Sequence, residues 1–188
     1  DDFSRYLAGS DATEAWETGS FGWEVRDGRF ESDGIGRAFA LPTAAPHGRR
    51  LVVEATVIPR RSASSKEWKI AGLAIMRDER NYWHLAFVES PEPNGARHFV
   101  ELQEMLDGNW LANTGGDSRL ENTLNVGSDF QLEYDRPYRL RLEITQEGIE
   151  GTVSELDGTQ RTRLGFAFGA RAVTSGRPAL TTGNLATA

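Results

Sequence analysis

The stretch that decides the fold is Trp68 to Phe87, WKIAGLAIMRDERNYWHLAF. Its first part, Trp68 to Met76, is apolar on both faces of an extended chain, which is typical of a covered central strand. The polar run Asp78-Glu79-Arg80-Asn81 then predicts a hairpin turn. Side chains of a strand alternate between its two faces. The second part therefore puts Trp83, Leu85 and Phe87 on one face, and Tyr82, His84 and Ala86 on the other.

The same alternation recurs on both sides of this hairpin. Leu51 to Ile58 stops at Pro59, and Tyr138 to Ile144 places Tyr138, Leu140, Leu142 and Ile144 on one face. His98 to Met105 has Val100 and Leu102 on one face, and Phe99, Glu101 and Gln103 on the other. The 20 glycines lie between such runs, and helical periodicity is hard to find, so the chain is predicted to be all-β. Asn113 to Asp129 is polar and is predicted to be a long loop.

Length, charge and composition exclude several classes of function. The 188 residues suit a single domain spanning 1–188 with a core of its own. A formal net charge of -7 disfavours nucleic acid and anionic membranes as partners, and no apolar run is long enough to cross a bilayer. The absence of cysteine excludes disulfides, thiolate metal ligands and a thiol nucleophile. The three histidines are scattered, which makes a zinc site improbable.

Five short motifs follow one another along the chain. They are Asp1-Asp2-Phe3, Phe21-Gly22-Trp23-Glu24-Val25-Arg26-Asp27-Gly28-Arg29-Phe30, Ala71 to Asp78 with Asn81-Tyr82-Trp83, Tyr138 to Glu143, and Gly176-Arg177-Pro178-Ala179-Leu180. Their order resembles that of LamG-like domains in the concanavalin A-like lectin/glucanase superfamily. The resemblance covers nearly the whole chain, but its motifs are structural and name no activity.

The resemblance implies a fold, a setting and a metal. The fold is a two-sheet antiparallel β-sandwich of the jelly-roll type, in a secreted, extracellular or periplasmic protein that processes glycans. The partners would be a glycan and a catalytic domain of the same larger protein. Such domains often hold a structural calcium near the first strand, where Asp2 is the matching residue and Asp33 a weaker candidate. They usually end on a strand that begins Phe-Asp, so a final strand is predicted to be missing from 1–188 or supplied elsewhere.

Two kinds of enzyme are alternatives. Glycoside hydrolysis needs two carboxylates facing one cleft, but Glu101 and Glu104 are predicted to lie on opposite faces of their strand. Polysaccharide lyases with this fold use a Tyr or His base beside an Arg or Gln. Tyr82, His84 and Gln103, with Arg77 or Arg97, are the right residue types, although the lyase motifs themselves are absent. A purely structural domain is a further alternative, and no catalytic residue is assigned.

The tryptophans favour sugar binding, since aromatic rings stack on the C–H faces of sugars. Trp110 follows the turn Asp107-Gly108-Asn109 and is predicted to be partly exposed, whereas Trp16, Trp23, Trp68 and Trp83 fit core positions. The leading hypothesis is therefore a carbohydrate-binding or lectin-like domain. Its ligand would lie across the face that carries Tyr82, His84, Glu101 and Gln103, with Trp110 at the rim.

Overall fold

The computed structural model describes residues 1–19, 22–61, 66–111 and 120–188. Strands dominate these residues, as predicted, together with one turn of 3-10 helix at Glu92–Asn94. No helix in these ranges has the length and apolar character needed to span a membrane. The motif residue Phe21 and the segment 113–119 of the predicted loop lie outside the described residues.

The strands, numbered in chain order, form three antiparallel sheets. The seven-stranded sheet has the order β1 (Trp16–Thr18), β4 (Arg37–Pro42), β15 (Arg177–Gly183), β7 (Lys69–Asp78), β8 (Asn81–Glu89), β9 (His98–Leu106) and β10 (Asn109–Leu111). The five-stranded sheet has the order β11 (Leu120–Val126), β14 (Gln160–Phe168), β13 (Gly148–Ser154), β12 (Tyr138–Ile144) and β5 (Leu51–Val57). The four-stranded sheet joins β2 (Trp23–Arg26), β3 (Arg29–Ser32), β16 (Ala186–Thr187) and β6 (Pro59–Arg60).

The main core lies between the seven-stranded and five-stranded sheets. One cluster contains Trp83, Leu85 and Phe87 from β8 together with all four apolar residues predicted to face inward from β12. Both inward sets are fully or almost fully buried, which confirms the two alternation patterns. Burying a large apolar side chain stabilises a fold by about 1.5–3 kcal/mol. This cluster therefore contributes much of the stability of the sandwich.

The four-stranded sheet covers the remainder of the same inner face. Trp23 and Phe30 pack with Trp16, Ala38 and Ala40, and the Phe3 ring stacks on Phe30 at 5.0 Å. Both smaller sheets thus pack on one side of the seven-stranded sheet. Among the described residues, no sheet covers the opposite side, which is called the outer face below.

Two expectations from the sequence are wrong. Leu120–Val126, assigned to a loop, is the edge strand β11, which pairs with β14 through a register shift between Asn122 and Leu124. A backbone ladder needs no apolar side chains, so a polar sequence on an edge strand gives little sign of it. Trp68, assigned to the core, is 51% exposed, because it precedes β7 and lies beside Phe99 on the outer face.

One edge of the five-stranded sheet is open in the described residues. β5 pairs with β12 on one side only, and just beyond it Ile58 and Ala188 exchange two backbone hydrogen bonds of 2.7 and 3.1 Å. A cavity of about 790 Å³ lies along β5, with Phe3, Trp23 and Leu180 in its wall. The final strand expected from the sequence stays a prediction.

Candidate functional site

The backbone register arranges the side chains of the outer face in rows across the strands. The first row holds Arg177, Met76, Tyr82, Met105 and Trp110, and the second Ala179, Ala74, His84 and Gln103. The third holds Phe39, Thr181, Gly72, Ala86 and Glu101, and the fourth Arg37, Gly183, Ile70, Val88 and Phe99. The structure therefore places Tyr82, His84, Glu101, Gln103 and Trp110 on one face, in three adjoining rows.

Trp110 lies over the two buried residues of this set. Its ring centroid is 4.8 Å from that of His84 and 5.7 Å from that of Tyr82. The turn before it has positive φ at Asp107 (53°) and Gly108 (82°), which is the backbone of a tight two-residue hairpin. Trp110 is 38% exposed, whereas Tyr82 and His84 are completely buried. The hairpin and its neighbours therefore cover the side chains of Tyr82 and His84.

Arg37 reaches the Trp110 ring from the far side of the sheet. Its guanidinium carbon is 4.8 Å from the centroid of the Trp110 ring, although four strands separate β4 from β10. Arg37 and Trp110 occupy opposite corners of the rows. A twisted sheet is saddle-shaped, so two diagonal corners rise on the same side of it. The contact is a cation–π interaction, and together the two side chains form a cover across the outer face.

Three buried polar atoms on the outer face have no hydrogen-bond partner among the protein atoms that the structure describes. They are Tyr82 Oη, His84 Nδ1 and Thr181 Oγ1, each on a side chain that is 0–1% exposed. An unsatisfied buried donor or acceptor costs about 1–3 kcal/mol, so folded proteins rarely keep several together. Six such atoms occur among the described residues, and half of them belong to this group of residues on the outer face, which is called the pocket below. The pocket is thus short of hydrogen-bond partners that a ligand could supply.

The His84 ring is held in one orientation by Glu101. The distance from His84 Nε2 to Glu101 Oε1 is 2.8 Å. An ionised carboxylate can only accept, so Nε2 carries the hydrogen and donates it to Glu101. In the neutral ring, Nδ1 is then an acceptor without a donor. The pocket therefore calls for a group that donates a hydrogen to Nδ1, such as a hydroxyl.

Tyr82 keeps its proton over the whole physiological range. Burial raises the pKa of its hydroxyl to about 12; the positive charge of Arg37 acts in the opposite direction, and the negative charge of Glu101 acts in the same direction as burial. A neutral phenol both donates and accepts a hydrogen bond. Tyr82 and Thr181 can therefore each serve either an oxygen or a hydroxyl of a ligand.

Small residues form the floor between Thr181 and Glu101. Gly72 and Ala86 are the two positions between them in the third row. A Cβ atom at Gly72 would lie 2.1 Å from the carbonyl oxygen of Leu85, so β7 and β8 approach here as only glycine allows. No side chain larger than that of alanine therefore lies between Thr181 and Glu101, and the polar groups of these two residues lie on either side of the small ones.

The remaining residues considered from the sequence lie as follows. Gln103 is half-buried next to His84 in the register. Glu104 faces the inner side and accepts a hydrogen bond from Val173 N at 2.6 Å, so Glu101 and Glu104 do not share a cleft. Arg77 forms an exposed ion pair with Asp78. Arg37 and Thr181 were missed from the sequence, because β4 and β15 meet the central hairpin only through long-range pairing.

Asp2, the predicted calcium ligand, caps a turn at the surface. Its Oδ1 accepts hydrogen bonds from Ser4 N (3.1 Å) and Ser4 Oγ (2.8 Å), and the backbone bond in particular lowers the pKa of the carboxyl. Neighbouring Asp1 accepts instead from Tyr6 and Trp16. Within the described ranges, no three His, Asp or Glu side chains are grouped so that they could hold a metal ion. The side chains around Asp2 therefore do not form a calcium cage, and calcium stays a prediction.

Comparison with known proteins identifies the architecture. No family model matches the chain, and no curated protein matches its sequence. Among solved structures, the carbohydrate-binding module CBM66 from Bacillus subtilis superposes with a TM-score of 0.61 at 12% identity, covering 92% of this chain and 90% of that one. A xylan beta-1,4-xylosidase from Bacillus halodurans gives a TM-score of 0.63 at 13% identity. The GH43 protein BlXynB from Bacillus licheniformis gives 0.61 at 13%.

The extent of each match differs between these structures. The matches with the xylosidase and with BlXynB cover all of this chain but only 37% of either of those proteins. It spans nearly the whole of the carbohydrate-binding module. Likeness at such low identity shows the fold alone, and the chain has an antiparallel β-sandwich fold of the jelly-roll type.

Proposed function

We propose that this domain binds a carbohydrate on its outer face, in the pocket covered by Arg37 and Trp110. The observation that carries the proposal is the group of three unpartnered polar atoms on Tyr82, His84 and Thr181. Such a group destabilises the free protein, and a ligand rich in hydroxyls would satisfy it.

The chemistry of the pocket suits a sugar ring. A sugar presents hydroxyls that both donate and accept, which matches an acceptor at His84 Nδ1 and two hydroxyls at Tyr82 and Thr181. It also presents C–H groups that an aromatic ring can cover, and Trp110 supplies such a ring at the rim. A pocket with a few converging polar groups and an aromatic wall is a common form of small-ligand site.

The named relatives in fold support this choice and suggest the first probe. The module from Bacillus subtilis is described as carbohydrate-binding, and the Bacillus halodurans protein as a xylan xylosidase. Because the chain spans about a third of the xylosidase, we extend the proposal to an accessory domain beside a catalytic domain, in an extracellular or periplasmic protein. Xylan is the first polysaccharide to test.

The experiment measures binding to a panel of polysaccharides that begins with xylan, using affinity electrophoresis and calorimetry. The parent protein should bind at least one of them, and Trp110→Ala should lose most of the affinity. Trp68→Ala is the matched control, because Trp68 is also exposed on the outer face but packs on Phe99 and not on the pocket. If the parent binds no glycan, or if both variants bind as it does, the proposal is wrong and a purely structural role gains support.

One observation favours an enzyme as the second candidate. A histidine fixed by a carboxylate, with its other nitrogen unpartnered, is arranged like a general base, and the centroid of the Tyr82 ring lies 6.2 Å from that of His84. A glycoside hydrolase or polysaccharide lyase would use these groups for proton transfer. Release of reducing ends or unsaturated uronates from the same panel, abolished by His84→Gln, would put this candidate first.

A further inference from the structure

Arg37 and Arg177 both lie in the register rows of the outer face, and they differ in how their charge is compensated. Arg177 donates to both carboxylate oxygens of Glu17, at 2.9 and 3.0 Å. Arg37 forms no ion pair with any carboxylate of the described residues, and its guanidinium rests on the Trp110 ring.

A negative charge also lies near these residues. Glu101 lies on the same face, but its Oε1 accepts from His84 Nε2. Arg37 therefore brings to the pocket a positive charge and a planar set of donors, with no acceptor of its own. A ligand that enters between Arg37 and Trp110 displaces water from this guanidinium. A neutral hydroxyl replaces that water poorly, whereas a carboxylate replaces it with two short charge-assisted hydrogen bonds.

We infer that the pocket recognises an acidic sugar, a residue of the uronate type. Its carboxylate pairs with Arg37, and one of its ring hydroxyls donates to His84 Nδ1. The inference rests on the proposed carbohydrate binding and names the class of sugar. Tyr82 and Thr181 complete the recognition, since their hydroxyls serve the ring oxygens either as donors or as acceptors. The net charge of -7 provides no general attraction for polyanions, so the selectivity is local to Arg37.

The test compares polysaccharides that differ only in the carboxyl group. Polygalacturonate is paired with its fully methyl-esterified form, and glucuronoxylan with its carboxyl-reduced form. Affinities are measured by calorimetry for the parent, Arg37→Gln and Arg177→Gln. The parent should bind at least one acidic form about tenfold tighter than its uncharged counterpart, as expected for one charge-assisted pair. Arg37→Gln should abolish that ratio, and Arg177→Gln, the matched control, should retain it.

Each alternative result is informative. Equal affinity for charged and uncharged forms, or a ratio that survives Arg37→Gln, overturns this inference. Tighter binding of a sulfated galactan than of either uronate polymer overturns it as well. If neutral glycans bind and acidic ones do not, carbohydrate binding stands and the acidic class is wrong. If no glycan binds at all, the proposed function itself fails and this inference fails with it.

Discussion

Arg37 and Trp110 belong to strands that are separated by four others in the sheet, and yet the guanidinium carbon of Arg37 lies 4.8 Å from the centroid of the Trp110 ring. Trp110 lies over Tyr82 and His84, and the unpartnered polar atoms of these two residues and of Thr181 lie on the same outer face. A cover made of two side chains can open without disturbing the sandwich, because neither belongs to the core between the sheets. Retaining such atoms costs stability, which leads to the first prediction.

Tyr82→Phe is expected to maintain or raise the stability while it weakens ligand binding. Phenylalanine keeps the ring that packs on Phe39 and Trp110, and it removes a hydroxyl that has no partner. We expect the free energy of unfolding in urea to rise by about 1 kcal/mol. Binding of the best glycan from the panel should fall about tenfold, the equivalent of one hydrogen bond.

The control is Tyr138→Phe. The Tyr138 hydroxyl accepts a hydrogen bond from Glu133 N at 3.0 Å, so its loss should lower the free energy of unfolding by about 1 kcal/mol. A Tyr82→Phe protein that is destabilised as much as this control would show that the Tyr82 hydroxyl is satisfied in the free protein.

The raised pKa of Tyr82 predicts a loss of stability in alkali. Its pKa is about 12 in the folded protein against 10.0 for an unperturbed tyrosine, and burial also raises the pKa of Tyr138. Between these values the unfolded chain releases protons that the folded protein keeps. Stability is therefore complete below about pH 10 and falls as the pH rises towards 12, by roughly 2–3 kcal/mol for Tyr82. Urea unfolding of the parent and of Tyr82→Phe at pH 9 and 11 measures the difference. A parent that loses no more than the variant would contradict the prediction.

The sandwich itself was predictable from local alternation, and the details of the pocket were not. The inward-facing residues of β8 and β12 follow from an apolar repeat of two residues. The same repeat places Tyr82, His84, Glu101 and Gln103 on the outer face, away from the core. The sequence does not show what lies above that face. Arg37 lies on β4, and β4 pairs with β15, which comes some 140 residues later in the chain. Only the order of the strands in the sheet brings Arg37 close to Trp110.

Leu142→Ala tests the packing of the sandwich. Leu142 is fully buried between the sheets, so truncation should lower the free energy of unfolding by about 2–5 kcal/mol. Val126→Ala is the control. Val126 is 57% exposed on the edge strand β11, so its truncation should lower the free energy of unfolding by less than about 0.5 kcal/mol. Similar costs for the two variants would mean that Leu142 is not in the core.

Calcium at Asp2 is a prediction from the family resemblance alone. If calcium stabilises the domain there, EDTA should lower the melting temperature, excess calcium should restore it, and Asp2→Ala should remove the response. If Asp2 only caps the turn through its hydrogen bonds to Ser4, Asp2→Ala should lower the melting temperature slightly and by the same amount with and without calcium. A melting temperature that EDTA leaves unchanged, with no calcium found by elemental analysis, contradicts the prediction.

The most direct test of carbohydrate binding in this pocket is the ¹⁵N resonance of His84 Nδ1, followed by NMR while the best glycan of the panel is added. The signals of the three histidines are assigned with His84→Gln. In the free protein, Nε2 of His84 should carry the hydrogen and Nδ1 should resonate as a nitrogen without a hydrogen-bond donor. On saturation, the Nδ1 resonance should move upfield as a glycan hydroxyl donates to it, while His98, which is bonded to Leu132 and Glu89, stays unchanged. A glycan that binds without moving the His84 resonance would place the site elsewhere on the domain.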